Sequence, residues 1–322
     1  MASAYYGSAT LFAALKGDLF TVIAQGATTA EQIARQSKSD LRATRIILDA
    51  CVALGLLTKT NNIYSNSPAA QLCLVAGSPH DLRQAIGYNR DVYGAWGRAD
   101  EFLRSGKPAE APSIHLGGDP ERTRRFVMAM HGRALGIGRA VVPMLPLSGC
   151  RHLLDLAGGP GTYAVLMAQS NPALHCTVMD LPGIVAVARE LVAQSDVAGR
   201  VNCVAGDYHD TPYQDQGFDA VTIFGALHQE SPEQIVTILK GAHEALSPDG
   251  KIFIMDMMTD ATHTQPPFSA LFAVNMALTT HNGWVFSDAE LSGWLLEAGF
   301  TGCQMQPMPP PMPHWLMSAR KG

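Results

Sequence analysis

The stretch His152 to Ala164, HLLDLAGGPGTYA, combines residues that can hold a small ligand. Its apolar run ends in Asp155, as a buried parallel strand does, and a glycine-rich turn precedes helix-forming residues. Glycine lets the backbone approach a ligand closely, and the N–H groups at a helix start favour a carboxylate or a phosphate. Because glycine patterns recur widely, a plain turn without a ligand is the alternative. The turn residues expected to contact a ligand are Gly158, Gly159 and Gly161.

Two more acids end the next predicted strands. Asp180 lies nineteen positions after Gly161, where a carboxylate can accept both ribose hydroxyls of NAD or of S-adenosylmethionine. The third strand ends in Gly206-Asp207-Tyr208, an acid for the exocyclic amine of adenine beside a ring that can stack. Asp155 would repel a dinucleotide's pyrophosphate, so S-adenosylmethionine is the favoured cofactor.

His228 follows the predicted strand Phe218 to Phe224, at the edge where open α/β sheets bind ligands. Methyl transfer from a sulfonium needs alignment and exclusion of water, and a hydroxyl acceptor must also lose its proton. Phenols have a pKa of about 10, and a histidine at about 6.5 is well suited to take that proton at neutral pH. The alternative for His228 is a capping or core-edge histidine. Asp256 ends the next predicted strand, and the alternative interpretation of this residue is a helix or loop cap.

In this order the motifs resemble the class I S-adenosylmethionine-dependent O-methyltransferases, and among them the bacterial small-molecule members related to plant caffeic-acid-type enzymes. The resemblance covers essentially the whole chain. It includes the pair Leu227-His228. It also includes the pair Asn282-Gly283, which precedes a helix ending at Glu297 to Phe300. It implies an α/β fold with a seven-stranded, doubly wound, Rossmann-like sheet, and a homodimer formed through an N-terminal winged-helix domain.

The resemblance also implies roles for individual side chains. His228 would be the general base, and Asp256 would orient it from the position of a family glutamate. The residues expected to contact the cofactor are Asp155, Gly158, Gly159, Gly161, Asp180, Leu181, Gly206, Asp207, Tyr208 and Phe224. Those expected to contact the substrate are Met130, His131, Asn275, Met276, Asn282 and Trp284.

Four positions depart from the family pattern. Ala157 replaces a glycine of the turn, and Phe224 replaces a lysine that plant-type enzymes place near the adenine. Gln229 replaces an aspartate after the histidine, and Val285 aligns roughly with a family glutamate. A C- or N-methyltransferase, or a member of the same fold that does not methylate, is therefore the alternative function.

Residues 1–105 are predicted to form a mainly helical dimerisation domain. Thr29 and Gln32 make a capping-box pattern, Ser39 is expected to cap a second helix, and Gly55 is expected to end it. A hairpin with a turn at Asn61-Asn62 follows. The order helix, helix, hairpin indicates a winged helix.

A winged helix often binds DNA, so a cofactor-sensing regulator is a further alternative. The second helix carries Arg42 and Arg45 but also Asp40 and Asp49, and a groove-binding surface should be clearly basic. A preceding apolar stripe favours packing against this domain or a second subunit, and dimerisation is our prediction. The stripe consists of Leu11, Phe12, Leu15, Leu19 and Phe20.

Residues 106–322 are predicted to form the methyltransferase domain, with residues 119–142 as a connecting helix. The chain is 47% hydrophobic with a net charge of −5, so no attraction to nucleic acid or to an anionic membrane is expected. No basic leader and no uncharged apolar run of about 18 residues is present. Six scattered cysteines suggest a reducing compartment and no metal site. We predict a cytoplasmic enzyme.

Overall fold

The computed structural model describes residues 1–78, 80–114, 116–213 and 217–322, without the side chain of Ile114. They form two compact units, Met1–Tyr93 and Gly94–Gly322. The domain boundary predicted after Ser105 lies further along the chain than this division, at the end of a helix. It stays a prediction.

The first unit is mainly helical and contains a small hairpin. Its helices are α1 (Tyr5–Lys16), α2 (Leu19–Ala24), α3 (Ala30–Gln36), α4 (Leu41–Ala53) and α5 (Pro68–Cys73). Strands β1 (Leu57–Thr60) and β2 (Ile63–Asn66) pair antiparallel. The order of α3, α4 and the hairpin confirms the winged-helix pattern. Helix α6 (Arg83–Trp96) follows and runs across the division between the units.

Two predictions concern the residues that cap the N-termini of α3 and α4. The capping box of Thr29 and Gln32 is present, which confirms the predicted start of α3. The prediction that Ser39 caps α4 is wrong, because the Asp40 carboxylate accepts the N–H of Ala43 at 2.8 Å. The hydroxyl of Ser39 instead hydrogen-bonds that of Thr44 at 2.6 Å. Ser39 lies one residue too early to reach the orphan N–H groups of the first turn.

The apolar stripe packs within the first unit. Leu19 and Phe20 are buried in its core, and Leu11 and Leu15 lie partly buried against that core. Other apolar side chains of this unit stay exposed on the single chain: Tyr5, Tyr6, Ile46, Leu54, Ile63 and Leu72.

The second unit surrounds a sheet. Its helices after α6 are α7 (Ala99–Ser105), α8 (Pro120–Val141), α9 (Thr162–Ser170), α10 (Pro182–Ala193), α11 (Pro232–Ala245), α12 (Pro267–Thr279) and α13 (Asp288–Glu297). Its strands are β3 (His152–Leu156), β4 (His175–Asp180), β5 (Val201–Ala205), β6 (Phe218–Phe224), β7 (Leu246–Asp256), β8 (Phe300–Pro307) and β9 (Trp315–Lys321).

Within the described residues these strands form one seven-stranded sheet in the order β5-β4-β3-β6-β7-β9-β8. Strands β3 to β7 run parallel, whereas β9 runs antiparallel to both β7 and β8. The chain moves outward from β3 to β5 and then returns to β6 on the other side of β3. This reversal is a topological switch point, where open α/β sheets bind ligands. The predicted fold class is confirmed.

Hydrophobic clusters cover both faces of the sheet. Side chains alternate along β3, so Leu154 and Leu156 join one cluster with α11 and α13, while Leu153 joins the other with α9 and α10. The two clusters hold the parallel strands in register, and the register fixes which side chains reach the carboxyl edge.

Replacement of Leu154 by alanine tests the role of this core. Leu154 is fully buried, so Leu154→Ala should lower the free energy of unfolding by about 2–5 kcal/mol, measured by urea titration. Leu296→Ala is the control, because Leu296 is 61% exposed and its loss should cost less than about 0.5 kcal/mol. Equal losses in the two variants would contradict the assignment of the core.

Candidate active site

The carboxyl ends of the parallel strands bring the predicted polar side chains to one edge of the sheet. Asp155 lies near the end of β3, Asp180 is the last residue of β4, and Asp256 is the last residue of β7. His228 lies in the single helical turn Leu227–Gln229 that follows β6. This edge is therefore the candidate active site.

The turn after β3 is tightly packed at Gly158 and open at Gly159. A Cβ on Gly158 would lie 2.6 Å from Oδ2 of Asp155 and 2.8 Å from Val178, so only glycine fits there. Gly159 has a φ of +55° with open space around the position of a Cβ. Ala157 adopts a φ of +54°, a left-handed conformation that is strained for alanine. The backbone thus leaves room for a ligand at Gly159.

Asp155 is completely buried beneath this turn. Its Oδ1 accepts the hydroxyl of Thr222 at 2.7 Å, whereas Oδ2 has no hydrogen-bond partner among the residues that the structure describes. Burial raises the pKa of Asp155 to about 7, since the charged form is poorly solvated there. A buried carboxylate oxygen without a partner points to a group that is missing from the protein chain alone.

Asp180 holds the glycine turn against β4. Its Oδ2 accepts the N–H of Gly159 at 2.8 Å, and its Oδ1 accepts the N–H of Leu181 at 2.7 Å. Burial raises the pKa of Asp180 to about 6. Leu181 is the N-cap residue of α10. Both residues therefore lie directly beside Gly159, as predicted for one ligand site.

The segment after β5 lies next along this edge. Gly206 donates its N–H to the carbonyl oxygen of Asp180 at 2.9 Å, and a Cβ on Gly206 would collide with Thr211 at 2.7 Å. The side chain of Asp207 is 43% exposed. Tyr208 donates its hydroxyl hydrogen to Glu230 at 2.6 Å, and burial raises its pKa well above the usual value.

His228 and Asp256 form a buried pair. Nδ1 of His228 lies 2.5 Å from Oδ1 of Asp256, and the two residues are only 8% and 1% exposed. Asp256 also accepts the N–H of Met257 at 2.8 Å and that of His228 at 3.3 Å. A carboxylate that accepts these bonds fixes Nδ1 of His228 as the protonated ring nitrogen and leaves Nε2 as an acceptor.

Apolar and aromatic side chains surround this pair. The Phe272 ring meets the His228 ring edge-on, with centroids 5.1 Å apart. Trp284 donates its backbone N–H to the carbonyl oxygen of His228 at 2.9 Å. Met276 is buried on α12, and Phe224 packs edge-on against Tyr163 at 5.1 Å. Both members of the pair are therefore largely shielded from water.

Three of the other residues predicted to contact substrate, His131, Asn275 and Asn282, hydrogen-bond to other side chains of the protein. Met130 and His131 lie on α8, where Nδ1 of His131 lies 2.7 Å from the hydroxyl of Thr162 and burial lowers the His131 pKa. Asn275 accepts the indole N–H of Trp96 at 2.9 Å. Asn282 is exposed and donates to Gln234 at 3.0 Å. Their contact with a substrate stays a prediction.

Comparison with known proteins defines the family. A family model for an O-methyltransferase domain matches residues 111–301, and one for an O-methyltransferase dimerisation domain matches residues 1–76. The tetracenomycin polyketide synthesis 8-O-methyl transferase TcmO of Streptomyces glaucescens is 31% identical over 306 residues, which cover 92% of this chain and 89% of that protein.

The chain belongs to the O-methyltransferase family. The 3-hydroxy-5-methyl-1-naphthoate 3-O-methyltransferase of Streptomyces sahachiroi is also 31% identical, over 93% of this chain and 87% of that protein. The crystal structure of human N-acetylserotonin methyltransferase in complex with SAM shares the fold with a TM-score of 0.90, at 24% identity over 100% of this chain and 95% of that one. The predictions of an S-adenosylmethionine-dependent O-methyltransferase and of its cofactor are confirmed.

The residues of this O-methyltransferase fit S-adenosylmethionine. The cofactor carries an ammonium, a ribose and an adenine, and the edge offers the unpartnered Oδ2 of Asp155, the carboxylate of Asp180 and the exposed Asp207. Open space at Gly159 allows the backbone to approach the ligand. The individual contacts stay predictions.

Several side chains at this edge were not predicted from the sequence. Thr222 hydrogen-bonds Asp155 from the neighbouring strand, and Glu230 binds Tyr208 from the turn that carries His228. His209 contacts both Asp207 and Glu230. His314 precedes Trp315, which pairs with Asp256, and burial lowers the His314 pKa. Thr222, His209 and Glu230 join segments distant in sequence, and the one local signal was that His209 and Glu230 adjoin residues already predicted.

Among the residues that the structure describes, no helix is long and apolar enough to cross a membrane.

The raised pKa of Asp155 predicts a pH-dependent stability of the cofactor-free O-methyltransferase. Folded Asp155 keeps its proton up to about pH 7, whereas an unfolded aspartate loses it near pH 4. The folded state binds more protons in this window, so stability should fall as pH rises, by up to about 1.4 kcal/mol per pH unit from this group. Asp155→Asn should reduce that slope in thermal melts between pH 4 and 7, leaving the part that the raised pKa of Asp180 contributes.

Asp249→Asn is the matched control, because Asp249 is exposed near the start of β7 and asparagine tolerates the same positive φ. Its slope should equal that of the wild type. An unchanged slope in Asp155→Asn would contradict the raised pKa.

Proposed function

We propose that this O-methyltransferase moves a methyl group from S-adenosylmethionine to a hydroxyl of a small aromatic or apolar metabolite, with His228 as general base and Asp256 as its orienting acid. The contact of 2.5 Å between Nδ1 of His228 and Oδ1 of Asp256, at the switch-point edge of the sheet, carries this proposal. It leaves Nε2 of His228 as the proton acceptor.

His228 acts on the acceptor hydroxyl through Nε2. As the oxygen attacks, its proton passes to Nε2, and the imidazolium that forms keeps its Nδ1–H on Asp256. The negative carboxylate stabilises that cation in surroundings that exclude water. Orientation matters equally, because in-line displacement requires the oxygen to approach the methyl carbon opposite the leaving sulfur.

Asp155, the glycine turn, Asp180 and Asp207 would hold the cofactor. S-adenosylmethionine supplies an electrophilic methyl group on its sulfonium sulfur. Asp155 Oδ2 would accept a hydrogen bond from the ammonium or from a water bound to it, Asp180 from the ribose, and Asp207 from the adenine amine. Gly158 and Gly159 let the ligand approach the backbone.

The acceptor proposal rests on the apolar surroundings of His228. Phe272, Met276 and Trp284 offer flat and adaptable surfaces, which suit an aromatic metabolite. The name of one relative refers to polyketide synthesis, and the name of another states a hydroxynaphthoate acceptor for that protein. An aromatic hydroxyl compound of bacterial secondary metabolism is therefore the proposed class.

The first unit is proposed to form a homodimer and not to bind nucleic acid. The dimerisation model covers residues 1–76, and exposed apolar side chains such as Tyr6 and Ile46 offer contact area. Two of its basic side chains pair with acids, Arg45 with Glu31 at 2.6 Å and Lys59 with Asp49 at 2.7 Å. The location expected from the cysteine pattern, the cytoplasm, stays a prediction.

Replacement of His228 tests the general base. His228→Ala should lower the rate of O-methylation by about 10²-fold or more, because the hydroxyl proton then has no acceptor. Calorimetry with S-adenosylhomocysteine should show unchanged cofactor affinity. His175→Ala is the control, because His175 is exposed at the opposite, amino end of β4 and should leave the rate unchanged.

Turnover of His228→Ala equal to that of the wild type would contradict the proposal. That result would indicate N- or C-methylation, in which no hydroxyl proton has to leave.

The quaternary proposal is tested by the mass in solution. Sedimentation should give twice the chain mass of 34.4 kDa, and the value should persist on dilution to micromolar concentration. A gel shift with genomic DNA fragments should show no salt-sensitive complex below micromolar protein. A monomeric mass would contradict the homodimer. A salt-sensitive complex with DNA below micromolar protein would contradict the absence of nucleic-acid binding.

A further inference from the structure

Four polar side chains join the segment after β5 to the turn that carries His228. Asp207, Tyr208 and His209 follow β5, whereas Glu230 lies two residues beyond His228. Oε1 of Glu230 accepts the hydroxyl of Tyr208 at 2.6 Å, and Oε2 lies 3.1 Å from Nε2 of His209. Nδ1 of His209 lies 2.7 Å from Oδ1 of Asp207. The result is a continuous chain of contacts from Asp207 through His209 to Glu230.

Glu230 is the fixed end of this chain. It is only 7% exposed, and burying a carboxylate is costly unless its oxygens accept hydrogen bonds. Both of its oxygens have partners, and its carbonyl oxygen accepts the indole N–H of Trp284 at 3.0 Å. Glu230 therefore holds a definite position beside the catalytic turn, and His209 is held through it.

His209 is the titratable link. Both of its ring nitrogens face carboxylate oxygens, but a neutral imidazole carries hydrogen on only one of them. Both contacts are favourable only when the ring is protonated. Burial lowers the pKa of His209, but the hydrogen bonds to Asp207 and Glu230 outweigh it and hold the pKa above the usual value. The titratable groups that face the ring are Asp207 and Glu230, with the Tyr208 ring at 4.5 Å between centroids.

Asp207 is the other end of the chain. Its Oδ1 receives both Nδ1 of His209 and the backbone N–H of His209, the latter at 2.9 Å. These contacts fix the rotation of the carboxylate and leave Oδ2 for a ligand. Asp207 is the residue proposed above to accept the exocyclic amine of adenine.

We propose that His209 and Glu230 are positioning residues for the cofactor: together they orient Asp207 toward the adenine amine, and this orientation weakens when His209 loses its proton. The inference rests on the proposed role of Asp207. It predicts that adenine recognition by this O-methyltransferase depends on pH, and that the dependence originates outside the residues that contact the cofactor.

The test compares the binding of S-adenosylhomocysteine and S-inosylhomocysteine to the full chain by calorimetry between pH 5.5 and 8.5. The inosine compound has a carbonyl in place of the exocyclic amine and a hydrogen on the adjacent ring nitrogen, and is otherwise the same. Asp155 and Asp180 titrate in this range too, but they affect both ligands, so the ratio of the two affinities reports on the amine-bearing edge of the base. In the wild type this ratio should fall roughly 3- to 10-fold as pH rises through the His209 pKa.

Two variants of His209 that differ by one methylene form a matched pair. The amide nitrogen of His209→Asn reaches the place of Nδ1, so this variant should keep adenosine selectivity at every pH. The amide of His209→Gln reaches the place of Nε2, so this variant should lose the contact with Asp207 and show low selectivity at every pH. Glu230→Gln should move the wild-type transition to lower pH, because His209 loses a negative neighbour.

The outcomes distinguish a failure of the positioning role of His209 and Glu230 from a failure of the adenine-binding role of Asp207. A wild-type selectivity for the adenine compound that is constant with pH and equal in both His209 variants would overturn the positioning role while leaving Asp207 as the adenine residue. No selectivity for the adenine compound in the wild type, together with no loss in Asp207→Asn, would instead overturn the role of Asp207. A purely structural role of His209 would change the melting temperature of its variants without changing the selectivity ratio.

Discussion

The buried hydrogen bond between His228 and Asp256 constrains the rest of the active site. A carboxylate that is 1% exposed needs donors, and the donors are the imidazole and the N–H groups of His228 and Met257. The two residues follow neighbouring strands, and their distance depends on the register that pairs Phe224 with Met255. A shift of one residue in β7 would turn Asp256 to the other face of the sheet. Core packing and the geometry of the proposed catalytic pair are therefore one requirement.

Acidic side chains dominate the same edge, and this charge suits a cationic cofactor. Asp155, Asp180, Asp207 and Glu230 lie around the proposed cofactor site, and burial holds the pKa of the first two at about 7 and about 6. S-adenosylmethionine is a cation with its sulfonium, whereas the product S-adenosylhomocysteine lacks that charge. An acidic edge favours the reactant over the product, which assists product release after transfer. The same charges make the site sensitive to pH, through Asp155 and through His209.

The sequence predicted the parts of the molecule that local patterns determine. The glycine turn, the acids at the strand ends and the capping box of α3 each depend on residues a few positions apart, and the structure has them where expected. The cap of α4 was wrong by one residue, because serine and aspartate stand side by side and both are good caps. The contacts of Thr222, His209 and Glu230 join segments that are 21 to 67 residues apart. Such contacts follow from sheet order and register, which the chain reveals only when folded.

The most direct measurement of the central claim is the tautomer of His228 in the folded enzyme. Nitrogen NMR of histidine-labelled protein, with the His228 signals assigned by their loss in His228→Ala, reports which ring nitrogen carries hydrogen. With neutral His228, the hydrogen should lie on Nδ1, bonded to Asp256, and Nε2 should show the signal of an unprotonated ring nitrogen. Hydrogen on Nε2 with an unprotonated Nδ1 would contradict the role of His228 as a general base oriented by Asp256.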